Sequence, residues 1–531
     1  MRYLLSMLLS VAACGTVKEL PDGGGMVTGP QTLTVTVTAG GSVTSTPAGI
    51  TCGPTCSAMF DANASVTLTA TAEATSAFVG WSGDCAGSGP CSVTMDGAKA
   101  VTATFAPHGS KRWVEQIGFS GFDSIEKVVV DKDGNAIVGG VIVDDAGGDL
   151  YIVKYAKEDG HIVWKQRLVT QTAEDLGGLA TDADGNIYLA TRLSIGSATF
   201  GTTAVTGDLF GNIVVLRLAA ATGEVVWAKQ WGGNGQDIPE AVAVSGNDLY
   251  VVGNTSSMPA TFDALSFTAS TNNGFVVRAN IADGRATAAK LLAGSVSLRD
   301  VAVNGTDVAV VGDARSNFTI DANCGIAVAG AGTDAMIIDL TGATLGCRWA
   351  RTYGDFIDDH NASISGVAAF PGGGWAIIGD FQGNILLAPS GTSLTSHGMF
   401  DVFAGRFTVD GAHVWSFRYG EAGFDLGETV AVTPAGNTIL AGVFDTSITF
   451  GATTVMGKSN AFVTRMSAAT APTHEWAVSL GGDDTDSPNS VALGPDGTVY
   501  VVAGFTGMTT IGGTALTSTG DYDAWVAALV P

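Results

Sequence analysis

Acidic side chains recur at one place in a repeating pattern: Asp123, Asp175, Asp237, Asp359, Asp425 and Asp486 each stand just ahead of, or at the start of, an alternating apolar segment. Carboxylates gathered at one end of a ring of strands could hold calcium or a cationic ligand. The competing chemistry is plainer: each carboxylate accepts hydrogen bonds within its own turn, and repetition in nearly every unit favours this. In Asp358-Asp359-His360-Asn361, Asp359 and His360 are the candidate metal ligands, against a solvated loop. The turns Asp131 to Asn135 and Asp182 to Asn186 have calcium-loop spacing but lack the downstream Glu of an EF-hand, so turn chemistry accounts for them. His161, His413 and His474 each fall just before a Trp and read as surface framework. No GxSxG, HExxH, P-loop or GxGxxG stands in a proper context. No catalytic residue is assigned, and no cofactor is expected beyond calcium as a candidate.

The elements that must position these residues are short strands. Seven alternating segments, EKVVV, GLATD, AVAVS, DVAVN, GVAAF, TVAVT and SVALG, mostly lead into Gly-containing turns such as Asp133-Gly134-Asn135 and Gly436-Asn437. Returning strands follow (AIVGG, IYLAT, LYVVG, VAVVG, WAIIG, TILAG, VYVVA), and then a second hairpin in each unit. Six units close near Trp164, Trp227, the Trp-less segment at Ala288, Trp349, Trp415 and Trp476, a repeat of about sixty residues with a shorter first unit. The seventh lacks its last strand because the chain stops at Pro531 after DAWVAAL, while an orphan strand, RWVEQIG, stands at 112–118. Together the two ends predict an all-β, seven-bladed β-propeller over 112–531 in which the N-terminal strand completes the last blade and removes two sheet edges.

The chain begins MRYLLSMLLSVAAC: one basic residue, then an apolar run too short to span a bilayer, ending in small residues before Cys14. The tetrad Val11 to Cys14 resembles the bacterial lipobox. The resemblance implies acylation of Cys14, a signal peptide over 1–14 and, with Gly15 following, the outer membrane or cell surface; an ordinary cleaved signal is the alternative. Residues 15–30 read as a flexible tether. Six further cysteines, Cys52, Cys56, Cys85, Cys91, Cys324 and Cys347, make an even number, which in an exported chain points to disulfides. Cys52 with Cys56 and Cys85 with Cys91 are the favoured local pairs; a four-cysteine zinc site fits the gaps poorly. Cys324 with Cys347 would tie the outer strands of one blade.

Residues 31–107 form a separate β module of alternating segments. The runs GGSVTSTPAGITCGPTC and FVGWSGDCAGSGPCSVTMDGAKAVTATF resemble the divergent internalin-type B-repeat, a small spacer or adhesion unit of bacterial surfaces. Trp81 reads as a core anchor there rather than a sugar platform. From Trp113 onward, WAVSLGGDDTDSPNSVALGPDGTVYVVAGFTG with GDYDAWVAAL is similar to the repeat named for seven-bladed bacterial propellers. That family carries no general activity. The stretch Ala221 to Trp227, ATGEVVW, resembles the docking motif of quinoprotein-type propellers, but the other units do not repeat it and seven blades count against a quinone enzyme.

Of 531 residues, 14% are charged, and the formal net charge of −25 offers no basic stripe, which argues against nucleic-acid partners. The expectation is a monomeric, noncatalytic envelope lipoprotein, held to the membrane by its lipid, that presents a propeller to a protein or polysaccharide partner. A carbohydrate-active hydrolase or lyase is the alternative, and would need unrepeated paired carboxylates in a cleft. A structural spacer in an envelope assembly is the third reading.

Overall fold

The computed structural model describes residues 29–531 apart from 54, 145–146, 171–172, 269–272, 323, 327–331, 355–359, 389–392 and 483–485. Cys14, the tether and Asp359 lie outside the described residues. Among those described, all regular structure is strand, in two compact units, residues 1–106 and 107–531.

The first unit holds two four-stranded sheets. One orders Thr55–Phe60, Gln31–Val37, Lys99–Pro107 and Ser76–Gly83, and the other Thr51–Cys52, Gly41–Thr46, Ser65–Ala72 and Cys91–Thr94. Alternate residues of these strands, among them Leu33, Val35, Val43, Val66 and Val101, meet in one core. Trp81 is buried in it, packed on Phe78 at 4.9 Å with its indole N–H donated to Gly89 O at 3.1 Å, so it anchors the core. Disulfides join Cys52 to Cys56 and Cys85 to Cys91, which removes the zinc alternative.

The second unit has β-propeller architecture, built from four-stranded antiparallel sheets that follow one another along the chain. In the first six the strand order follows the chain; their first strands are Ser124–Val130, Ala173–Thr181, Asp237–Ser245, Val296–Asn304, Ala362–Ala369 and Leu426–Val432. The seventh begins at Asp486–Leu493 and takes its fourth strand from Lys111–Ile117, which pairs antiparallel with Asp523–Leu529. The first strand of each sheet packs beside that of the next, and Ser124–Val130 also packs beside Asp486–Leu493. No single sheet closes on itself. In sheets two to seven a two-stranded hairpin, such as Ser447–Phe450 with Thr453–Met456, separates the second strand from the third. The first sheet has none among its described residues, which accounts for its shorter repeat. Cys324 is bonded to Cys347, fastening such a hairpin to the fourth strand of the fourth sheet.

The repeated Trp works between sheets. Trp113, Trp164, Trp227 and Trp349 donate their indole N–H to the carbonyls of Lys157, Ala220, Ile281 and Val409, each in the following sheet. Their rings, and that of Trp476, lie against Gly160, Gly223, Gly284, Gly411 and Gly109, all at positive φ, where an added Cβ would come within 2.5 to 3.0 Å of the indole. Gly223 of the ATGEVVW stretch therefore seats Trp164. Where the third sheet has Ala288 in place of Trp, the fourth sheet has Leu345 in place of Gly. Leu345 keeps the positive φ of 55° and the same turn hydrogen bond, and fills the space as a buried core residue.

Candidate functional site

The recurring aspartates are framework. Asp123, Asp237, Asp425 and Asp486 are almost fully buried and spend their oxygens inside the fold. Asp237 accepts from Gly233 N at 2.9 Å, Thr255 Oγ1 at 2.5 Å and Ser257 Oγ at 2.7 Å. Asp425 accepts from Glu421 N at 2.9 Å and Asp445 N at 3.2 Å; Asp486 accepts from Gly482 N at 2.8 Å and Thr509 Oγ1 at 3.1 Å. Asp123 takes Val143 N at 2.9 Å and Phe119 N. These four follow the turn-capping reading rather than the calcium one. Asp175 departs from the pattern: it lies within a strand and pairs with Arg192 at 2.7 Å.

The two calcium-like turns close on themselves as well. Asp131 takes the backbone N–H groups of Asp133 and Asn135, each at 2.9 Å, and Lys154 Nζ at 2.6 Å. Asp182 takes the N–H groups of Asp184 and Asn186 and, through its other oxygen, the Tyr188 hydroxyl at 2.9 Å. Among the described residues no three potential metal ligands come together. The three histidines are not alike. His161 is exposed on Asp159, but His474 sits against Tyr419, Phe417 and Phe450, and burial pushes it down to about 4.

The unrepeated chemistry lies along the first strands. The first strand of every sheet breaks register at one shared level, and the residue left over at each of these bulges is Glu126, Gly177, Glu240, Arg299, Ser365, Glu428 or Asn489; the second sheet breaks register a second time, between Ala173 and Asp175. A narrow cavity of about 160 Å³ is lined by the first strands of all seven sheets and includes Lys127, Arg299, Asp300, Glu428 and Asn489. It shares lining residues with two larger spaces. One, of about 400 Å³, is lined by Glu126, Lys127, Asp175, Glu240 and Glu428; the other, of about 410 Å³ between sheets three and four, by Glu240, Asn254, Arg299, Asp313 and Arg315.

Some of these groups bridge sheets. Leu176 N donates to Glu126 Oε2 at 2.6 Å, Val367 N to Asp300 Oδ2 at 2.8 Å, and Asn489 Nδ2 to Ile125 O at 2.8 Å. Asn254 donates to Glu240 at 3.0 Å, and Arg299 holds Asp313 at 3.1 Å. Among the described residues Glu428 has no hydrogen-bond donor and Lys127 no ion-pair partner within 4 Å. Burial pushes Glu126 up to about 8, Asp300 to about 6 and Asp380 to about 7, and raises Glu240 and Glu428. Against burial act the charge of Lys127, felt by Glu126, Glu240, Asp300 and Glu428, and that of Arg299, felt by Glu240, Asp380 and Glu428. The first strands thus bring these carboxyl groups near Lys127 and Arg299.

Residues 31–109 match the family model described as the divergent InlB B-repeat domain. No curated protein matches the chain. Among solved structures, the chain is similar to the WD40 β-propeller domain of Doa1, at 9% identity and a TM-score of 0.41, covering 78% of this chain and 96% of that one. Chaetomium thermophilum Sqt1 matches at 11% and 0.39, covering 80% and 98%. Kuenenia stuttgartiensis hydrazine synthase matches at 12% and 0.38, covering 71% and 92%. At these values no residue role or activity is carried over.

Sequence reasoning missed two series. At the start of each third strand stands a buried Asp or Asn: Asp149, Asn212, Asn273, Asp334, Asp401, Asn460 and Asp523. Asp149 takes Arg167 Nε at 2.6 Å and Thr170 N at 2.9 Å, and Asp523 takes Gln116 Nε2 and Thr519 N. Its signal was the Asp or Asn that opens DLYIVKY, NIVVLRL and their equivalents. The bulge ring has no such signal, since its seven residues share no type.

Proposed function

We propose that this chain is an exported, lipid-anchored, noncatalytic protein in which residues 112–531 form a seven-bladed, ring-closed propeller that binds an envelope protein or polysaccharide through one face. The observation that carries this reading is where apolar side chains meet solvent. Phe122, Ile195, Leu209, Phe210, Met258, Met399 and Phe424 are all exposed, Leu209 by 76%, in loops at the end of the sheets where first strands begin and second strands finish. At the opposite end the turns between first and second strands are built largely from Asp, Gly and Asn, and the exposed apolar residues there, Ile162, Val163 and Val226, lie at the starts of fourth strands. Exposed apolar surface of this kind marks interaction sites. The stacked pairs Phe122 with Tyr522 and Phe400 with Phe424 hold part of it rigid. With the repeated residues used as framework, loop differences are left to choose the partner.

A glycan array and an envelope-extract capture with the full chain test this. The double variant Leu209→Ser, Phe210→Ser should lose the captured partner without a fall in melting temperature, and capture unchanged by it would refute the face. Labelled palmitate should enter the wild type and not Cys14→Ser. The enclosed channel carboxylates favour a second reading, a carbohydrate-active hydrolase or lyase; release of reducing or unsaturated ends from a polysaccharide, lost in Asp300→Asn, would establish it. With neither a stable partner nor turnover, a structural spacer is left.

A further inference from the structure

We propose that the cleft between the third and fourth sheets binds a glycan in which carboxylate-bearing sugars are spaced among neutral ones, with Arg315 taking the sugar carboxylate. The space measures about 410 Å³, within the range of small-ligand sites. It is lined where first strands begin and second strands finish, the end already proposed to meet a partner, and the inference rests on the polysaccharide reading of that end. Three repeat positions change together here, all in the fourth sheet. Arg299 is the one cation among the seven bulge residues. Arg315 follows the second strand, where sheets two, three, five, six and seven have Ser194, Ser256, Gln382, Asp445 and Thr506. Val296 stands three places before the bulge, where Asp123, Asp237, Asp425 and Asp486 clamp turns in other sheets. One framework anion is gone, two cations are added, and all three residues line the same space.

The bonding inside the cleft separates its two cations. Arg299 holds Asp313 at 3.1 Å, and Glu240, the other acid in the lining, takes Asn254 at 3.0 Å. Arg315 gives only its Nε, to Thr333 Oγ1 at 3.1 Å, and has no carboxylate partner among the described residues. Its terminal guanidinium N–H groups are left to meet both oxygens of a carboxylate, the geometry in which Arg binds such groups best. The walls are suited to hydroxyls. Gln236, Ser295 and Ser297 line the cleft with side chains that make no hydrogen bond among the described residues, and each can both donate and accept. An inorganic anion would leave these groups and most of the volume unused. The chain's net charge of −25 repels a polyanion at long range, so spaced carboxylates suit the cleft better than a charge on every sugar.

Calorimetric titration of the purified full chain tests this. The probes are a hyaluronan hexasaccharide, in which glucuronate alternates with N-acetylglucosamine, a xylotriose bearing one glucuronate, the carboxyl-reduced forms of both, and hexaglutamate. Saturable binding of either acidic glycan supports the proposal when it weakens at least about tenfold on carboxyl reduction and in Arg315→Gln, with that variant melting no lower than wild type. No saturable binding of either at millimolar concentration overturns it. So does binding that carboxyl reduction leaves unchanged, or that Arg315→Gln and Arg299→Gln both leave unchanged. Hexaglutamate binding in place of the glycans, with loss in Arg315→Gln, overturns the sugar class and points to an acidic protein segment. If the glycans fail while a captured partner is still lost in the double variant Leu209→Ser, Phe210→Ser, the cleft falls and the apolar face stands; if that loss is absent too, both fall.

Discussion

Asp237 shows how one residue type can look like a ligand and serve as a clamp. Its two oxygens meet one backbone N–H and two hydroxyls within its own sheet and turn. Asp237→Ala would leave those buried donors unpaired and should lower stability by about 2 to 4 kcal/mol in chemical denaturation, without changing any response to calcium. Glu126 behaves differently because burial raises it to about 8 while it still takes Leu176 N. A carboxyl raised above its unfolded value of 4.5 contributes stability that is complete below that value and is lost as pH rises through the folded one. The wild type should therefore lose melting temperature between about pH 5 and pH 9, and Glu126→Gln should flatten that loss. An unchanged slope would show that the carboxyl is not enclosed in solution.

At the scale of elements, the contact between a Trp on one sheet and a positive-φ Gly on the next is the repeated joint, and its exception is informative. Leu345 at φ 55° carries backbone strain that Gly would not, but it fills a core where Ala288 is too small. Leu345→Gly should cost about 2 kcal/mol, lost burial of about 3 being partly offset by relief of about 1 in the backbone. Ala288→Trp alone should overpack against Leu345. Together the two substitutions rebuild the joint of the other sheets, and a double-mutant cycle should show a favourable coupling of more than about 1 kcal/mol. Additive losses would mean that Ala288 and Leu345 do not share the space. The bulges are the second repeated device. Each inserts one unpaired residue into a first strand and so shifts the side-chain alternation that follows it.

For the whole molecule, the pairing of Lys111–Ile117 with Asp523–Leu529 joins the two ends of the repeat array. A chain starting at residue 107 should fold, whereas one starting at 119 leaves an exposed strand edge and should aggregate or unfold at lower denaturant. Equal stability of the two would remove the closing strand from the account of the fold. Much of this architecture was legible beforehand. Alternation in TVAVT or SVALG, the Gly turns and the orphan strand near 112–118 are local signals that survive in any context. So were the pairs Cys52 with Cys56 and Cys85 with Cys91, because a few residues of separation leave little choice of partner. The recurring acids were visible too, and so was turn capping as their use, with Asp175 the exception. Asp237 stands three places before its bulge residue, as Asp123, Asp425 and Asp486 do, whereas Asp175 stands two before Gly177, and that one-place offset leaves it to meet Arg192 instead of clamping a turn.

The sequence by itself determined the class of element, the period and the way the two ends complement each other, because these follow from side-chain alternation and turn residues acting over a few positions. Only the tertiary structure decided which residues stand at the bulges of the first strands. Glu126, Gly177, Glu240, Arg299, Ser365, Glu428 and Asn489 are united by a shift in backbone register, not by residue type, and no pattern of letters records where hydrogen bonding between strands slips by one.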